Sequence, residues 1–384
     1  MPTDMAIVTV VTRDYLSFAR AMVESVRAVH PELPVFICMA DRPSVPFDPA
    51  KEQATIFFAD ELNIPRWHRF AFQYDGFELS CALKPFAIEH VRSKGFTRVA
   101  YLDADILVYS RLDDLLAPLS DQRMVLTPHL VHPLPDDGCL PDELTIARAG
   151  VVNGGFVGLN GERDQGAFLN WWKFHCSRDC VVDQHAGLFV DQRWLDLAVA
   201  MFDGVFINRG QQYNVAYWNL PHRTIARDAE GQWLIGDQRL AFYHFSGWRA
   251  EEPDNLSRYQ NRVKLTDHLL LLELLRDYRS RLDRHAWEAC RQWGSTHSNL
   301  DCGLPIDPTW REVIRLNHPA LADVENPFAI VESSSEMIRL KAAGVDMIPR
   351  RVSWQLNAFQ DRLNHIEEHP FRWLFRKLLG RNKR

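Results

Sequence analysis

Arg98-Val-Ala-Tyr-Leu-Asp-Ala-Asp-Ile-Leu-Val-Tyr109 decides how the rest of this chain is read. An apolar run rich in β-formers stops abruptly at Asp103-Ala104-Asp105. A buried strand does not normally finish in two carboxylates one residue apart. At the end of a strand, where the chain enters a cleft, the pair has a use. Both can reach one hard divalent cation, which prefers carboxylate oxygen and often shares substrate phosphates. On spacing alone, a cap or turn role for either aspartate fits equally well.

Outward from this run the pattern is strand–helix alternation. Ala6–Thr12 reads as a buried strand. Asp14 reads as the N-cap of a helix with Leu16, Ala19, Val23 and Val26 on one face. Residues 34–39 and 54–58 read as strands, Ser80–Lys94 as a helix closed by Gly95, and Arg98–Asp103 as the next strand. Such alternation predicts an α/β fold, a mostly parallel sheet with helices on both faces. Ligands in sheets of this kind sit beyond the carboxyl ends of the strands. Thr12-Arg13-Asp14 and Asp103-Ala104-Asp105 both fall there. Past residue 120 the pattern loosens, with strands at 123–127, 155–159, 205–208, 233–235 and 240–245. Helices are expected at 164–176, 191–200 and 263–293, and a Pro/Asp-rich loop at 129–149.

Four more segments fit the same cleft. Asn153-Gly154-Gly155 puts an amide and two glycines ahead of a strand, where backbone can approach a ligand or simply turn. Asp191-Gln192 opens a helix, as reaction-centre groups or as a cap. His244 ends a strand three residues before Gly247, as a metal ligand through neutral imidazole or as a structural histidine. Lys84 lies in the helix before the Asp-Ala-Asp strand, to neutralise phosphate or to face solvent. Trp67 and Tyr74 bracket an aromatic stretch suited to sugar rings or to core packing. His132 lies in the 129–149 loop, a polar lid in prospect.

Taken in order, these segments resemble the GT-A glycosyltransferases, and most closely their retaining, family 8-like branch, over residues 5–250. The resemblance implies a Rossmann-like nucleotide-diphospho-sugar transferase fold. It implies that Thr12, Asp14 and Tyr15 receive the base of a sugar nucleotide, that Lys84 meets its phosphates, and that Tyr101–Asp105 is the family's Asp-x-Asp segment, Ala104 included. It further implies that Asn153, Gly154 and Gly155 line the donor, and that Asp191 and Gln192 are the catalytic pair. Asp103, Asp105 and His244 would hold Mn2+ or Mg2+, with Gly247 touching diphosphate. Trp67, Tyr74 and His132 are expected on the acceptor side. Two positions depart from the pattern. Ala250 stands where the family places a lysine, leaving Arg249 as its substitute, and Arg193 stands where a second Asp often follows Asp-Gln.

The resulting expectation is a metal-dependent transferase moving a sugar from a nucleotide-diphosphate donor, with UDP as the nucleotide, to a saccharide or lipid-linked acceptor of a bacterial surface polysaccharide. A sugar-nucleotide pyrophosphorylase is the rival enzyme, but its glycine-rich phosphate loop has no counterpart in Ala6–Arg20. A non-catalytic glycan- or protein-binding module is the other.

Composition agrees with an enzyme of this size. At 384 residues, 46% apolar and 24% charged, the chain is globular and long enough for a large domain with an appendage. The division expected is 1–250 as the catalytic domain and 251–384 as a mainly helical region. Seven scattered cysteines and an N-terminal stretch unlike a leader peptide set the expectation of a reduced, cytoplasmic protein. The net charge is −6, yet Phe371–Arg384 holds six basic and no acidic residues. The rest carries 38 basic against 50 acidic side chains, a field that does not suit nucleic acid. In 370–384, Phe371, Leu374, Phe375 and Leu378 recur at helical spacing among the cations. That pattern is expected to lie on an anionic membrane surface, at the inner face of the cytoplasmic membrane.

Overall fold

The computed structural model describes residues 4–345 and 347, so the basic segment 370–384 lies outside the described residues. The chain forms two compact units. One comprises residues up to Trp67 and Tyr74–Ser298, and the other His68–Gln73 with the residues from Asn299. The first unit therefore runs past the expected boundary at 250.

The first unit is the expected α/β body. Its strands are β1 (Met5–Val11), β2 (Val35–Met39), β3 (Thr55–Phe58), β4 (Arg98–Leu102), β6 (Met124–Pro128), β7 (Val152–Asn160) and Val205–Ile207, with β5 (Ile106–Val108) outside the main sheet. The seven-stranded sheet has the order Val205–Ile207, β6, β7, β4, β1, β2, β3. Pairing is parallel throughout, except that β7 runs antiparallel to both β4 and β6. Every residue of β1 and of β7 is buried, as strands covered on both faces require. Helix α1 (Leu16–Val29) turns Leu16, Ala19, Val23 and Val26 inward. Asp14 does not cap it, because Arg13–Tyr15 first makes a separate 3-10 turn.

Boundaries shifted where local hydrogen bonding was stronger than the apolar pattern suggested. The helix expected from Ser80 begins at Gly76, where Asp75 and Glu78 form a reciprocal capping box. The loop 129–149 ends in the helix Glu143–Ala149, capped by Asp142. The long helix expected over 263–293 divides into Leu269–Arg284 and Trp287–Arg291, with Ala286 at φ 61° between them.

The second unit contains most of the helix Trp67–Phe72. Phe72 packs edge-on to Phe328 with ring centroids 5.0 Å apart. The Arg69 guanidinium donates to the Leu321 and Val324 carbonyls at 2.7 and 2.6 Å.

Candidate active site

Two strand ends and one crossing strand build the centre. β4 ends at Leu102, and Asp103 N donates to the Gly155 carbonyl of β7 at 2.8 Å. The chain then turns, Ile106 N donating to the Asp103 carbonyl at 3.2 Å, and resumes as β5. There it pairs antiparallel with Phe242–His244, His244 standing opposite Ile106. Phe245 N donates to the Asp105 carbonyl at 2.9 Å. This register fixes His244 beside the second aspartate.

Asp103, Asp105 and His244 each present a ligand atom, and the three atoms lie within 4.8 Å of one another. His244 Nε2 is 3.1 Å from Asp105 Oδ1 and 3.8 Å from Asp103 Oδ2. Its other nitrogen, Nδ1, is 3.3 Å from the Asn214 side-chain oxygen. A carbonyl oxygen there calls for a proton on Nδ1, which leaves Nε2 facing the carboxylates, to bond Asp105 when protonated or to give its lone pair to a cation when not. That is how metal-binding imidazoles are oriented. Burial favours neutral imidazole, but Asp105 outweighs it and raises the His244 pKa. Burial would likewise raise Asp105, yet His244 pulls it below its ordinary value. Two carboxylates and an oriented imidazole suit a divalent cation.

Next to this cluster sits a buried ion network. Lys84, only 3% exposed, is not a solvated helix lysine. Its ammonium stands 3.1 Å from Asp103 Oδ1 and 3.3 Å from Asp191 Oδ2, and donates to the Gly154 carbonyl at 3.0 Å. Burial alone would depress the ammonium, but the two aspartates hold it well above its ordinary pKa. Tyr101 donates its hydroxyl to Asp103 Oδ1 at 2.8 Å. Asp191 is itself fully enclosed. Burial pushes its carboxyl up to about 6 against the pull of Lys84. Neither of its oxygens accepts a regular hydrogen bond, and its side chain makes no cap hydrogen bond to the helix Gln192–Met201.

The glycines are explained by these neighbours. A Cβ on Gly154 would stand 2.9 Å from Asp191 Oδ2, and one on Gly155 2.5 Å from His244 Cε1. The register shift between β6 and β7 at Leu126/Thr127 bends this stretch and sets Asn153 opposite Thr127. Gln192 holds it in place. Its oxygen accepts from Gly154 N at 2.8 Å and from Asn153 Nδ2 at 3.2 Å, and its nitrogen donates to the Ala149 carbonyl at 2.9 Å. The Asn153 oxygen accepts from Gly155 N at 3.0 Å. His129 meets Asn153 Nδ2 at 3.1 Å, and burial, with His244 adding, pushes it down to about 3. It is a neutral acceptor.

The remaining expected residues divide. Thr12 is buried at the end of β1, and Asp14 keeps a buried oxygen without a partner. Tyr15 is half exposed and stacks on Phe18 at 4.8 Å. Ala104 is buried between the two aspartates. Gly247, at φ 71°, lies so close to Ser257 and the Tyr259 ring that a Cβ would meet both at 2.5 Å. Arg249 is exposed. Arg258, also exposed, puts its amide on the Gly247 carbonyl at 3.1 Å and its guanidinium 4.6 Å over the Tyr259 ring. Tyr74 is corrected to a packing residue, because it is fully buried and donates its hydroxyl to the Cys176 carbonyl at 2.8 Å. Trp67 sets its edge against His297 at 6.1 Å. His132 is exposed, near Gln211. Sequence reading missed Asn214 and His129, which contact His244 and Asn153. Only an asparagine suited to positive φ (51° at Asn214) hinted at the first.

No family model matches the chain. It is 24% identical over 282 residues to the uncharacterized protein YfnF of Bacillus subtilis (strain 168), covering 72% of this chain and 92% of that one. It is 24% identical over 263 residues to the uncharacterized protein YfnD of the same organism, covering 65% and 81%. Among solved structures it is similar to the glycosyltransferase GlyE of Streptococcus pneumoniae TIGR4, at 13% identity and a TM-score of 0.40. That match covers 75% of this chain and 64% of GlyE, so the chain spans less than two thirds of that protein. It is also similar to the galactosyltransferase LgtC in complex with donor and acceptor sugar analogs, at 16% identity and a TM-score of 0.40, covering 72% and 100%. Likenesses this distant carry no weight for function, which has to be read from the residues of the centre itself.

Proposed function

We propose that the protein is a metal-dependent glycosyltransferase of the GT-A, family 8-like kind. It takes a sugar from a nucleoside-diphosphate donor, with UDP as the nucleotide, and delivers it to a saccharide or lipid-linked acceptor of a bacterial surface polysaccharide. The observation that carries this reading is the convergence of Asp103, Asp105 and His244 within 4.8 Å, with Asn214 fixing the imidazole. A bound Mn2+ or Mg2+ supplies Lewis-acid stabilisation of the charge that develops on the departing diphosphate.

The chain's own residues do the rest. Asp103 and Asp105 offer hard oxygen ligands, and His244 offers Nε2. The Lys84 ammonium stands between Asp103 and Asp191, 3.1 and 3.3 Å from their oxygens, and offsets the repulsion between the two carboxylates. Asp191, paired with Lys84 at 3.3 Å but with no regular hydrogen bond to its oxygens, is the carboxylate offered to the sugar at the reaction centre. Gln192 works beside it by holding the Asn153–Gly155 backbone against the donor. Gly247 and the exposed Arg249 take the diphosphate side, and Thr12, Asp14 and Tyr15 the nucleoside. Trp67 and His132 remain the acceptor candidates. The basic stretch 370–384 would bring the enzyme to the anionic inner face of the cytoplasmic membrane.

A panel of nucleotide sugars tests the reading by release of nucleoside diphosphate with Mn2+ and with chelator. The expected result is slow, metal-dependent hydrolysis of one donor class, abolished in Asp105→Ala while thermal melting stays cooperative. Hydrolysis unaffected by chelator, or equal in Asp105→Ala, overturns it.

A further inference from the structure

A segment far along the chain, Trp293–His297, is tied down across the carboxyl ends of β1 and β2. Asp41, 1% exposed, is the anchor. Its Oδ2 accepts from Arg13 N at 2.6 Å, and its Oδ1 from Thr296 N at 2.5 Å and Thr296 Oγ1 at 2.8 Å. The Arg13 guanidinium reaches the other way and donates to the Trp293 and Gly294 carbonyls, both at 2.6 Å. His297 Nε2 meets the Ala40 carbonyl at 2.9 Å. Apart from the Arg13–Asp41 bond, which ties the two strand ends together, each of these bonds joins the segment to a residue just past the end of β1 or β2. Asp14, beside Arg13, carries a buried oxygen with no partner, and burial with the Asp41 charge behind it raises its pKa.

That location is where a parallel sheet receives its ligand. The Asp41 carboxylate and the Arg13 guanidinium both bond the backbone of this segment. Here they turn a distant connection into a fixed wall facing Thr12, since Ser295 and Thr12 both lie within 4 Å of where a Gly76 Cβ would be. We propose that Trp293–His297 is one wall of the nucleoside subsite, and that Ser295 is a specificity-determining residue for the base. This rests on the glycosyl-transfer reading. The unpaired Asp14 oxygen would accept an N–H of the base, and the strap would fix how deep the base sits.

Two measurements test it. Hydrogen exchange across 293–298 is followed in the wild-type protein with Mn2+, alone, with inorganic pyrophosphate and with UDP. Slower exchange is expected with UDP and not with pyrophosphate. Calorimetry then compares UDP, GDP and ADP on the wild type, Thr296→Val and Ser295→Phe. Affinity for the preferred nucleotide should fall on the order of tenfold, the preference among the three should narrow, and pyrophosphate binding should stay unchanged. Unaltered exchange with UDP, or variants that keep both affinity and preference, would overturn the strap while leaving the glycosyl-transfer reading intact. A wild type that binds pyrophosphate with Mn2+ but no nucleoside diphosphate would sink both.

Discussion

Replacing Asp191 by Asn separates a reaction-centre carboxylate from a structural one, because the structure predicts opposite effects on stability and activity. Asp191 is 1% exposed, and burial raises its carboxyl from 3.8 to about 6, with Lys84 opposing and Asp103 reinforcing. Below the lower value both folded and unfolded chains hold the proton. Between the two, the folded chain keeps a proton that the unfolded chain has released. The stability this group contributes is therefore complete below about pH 4 and lost as pH rises through about 6, a change on the order of 3 kcal/mol. Asparagine has no such titration. Urea unfolding in chelator, at a series of pH values from about 4 to 7.5, should show the difference in stability between variant and wild type moving in the variant's favour by that amount. Turnover with the preferred donor should fall much further than donor affinity. Parallel pH profiles for the two proteins would refute the electrostatic account, and unchanged turnover would refute the catalytic one.

Other outcomes follow from the same contacts. Gly155→Ala places a Cβ 2.5 Å from His244 Cε1, so Mn2+ affinity measured by calorimetry should collapse even if the chain still folds. Asn214→Leu keeps the bulk but removes the acceptor at His244 Nδ1, and should weaken Mn2+ roughly 10–100-fold; full affinity would mean the ring is held by packing alone. Deleting 370–384 should release the protein from anionic vesicles, at about 1 kcal/mol per lost cation, yet spare activity on a soluble acceptor. Identical partitioning with and without the segment would exclude it as the anchor.

What was legible in the sequence was whatever local pattern encodes. The abrupt end of β4 in Asp103 and Asp105 marked the centre because charge cannot continue a buried strand, and the strand-end His244 followed the same logic. The Asp75–Glu78 capping box is an equally local signal, and it starts the helix at Gly76, ahead of the apolar run after Ser80. Lys84 is drawn into the site by its place before β4 and by the resemblance, but its partners were not readable, since a helix lysine looks the same in water or between two aspartates. Asn214 and Trp293–His297 carry no motif at all. Their positions depend on which strand ends the chain returns to, and the antiparallel insertion of β7 between β4 and β6 is not encoded in any spacing.

The pairing of β5 with Phe242–His244 has a kinetic consequence. Asp103 and Asp105 are synthesised and can enter the sheet long before His244 exists, and the loop that joins them must close at the cost of chain entropy. Contacts between such distant segments form late and slow the approach to the native state. Until then the two aspartates share a strand end without their imidazole. Cation affinity should accordingly appear in the last phase of refolding rather than with the first secondary structure, and a cation present in the medium would act by trapping the finished fold instead of guiding the chain towards it.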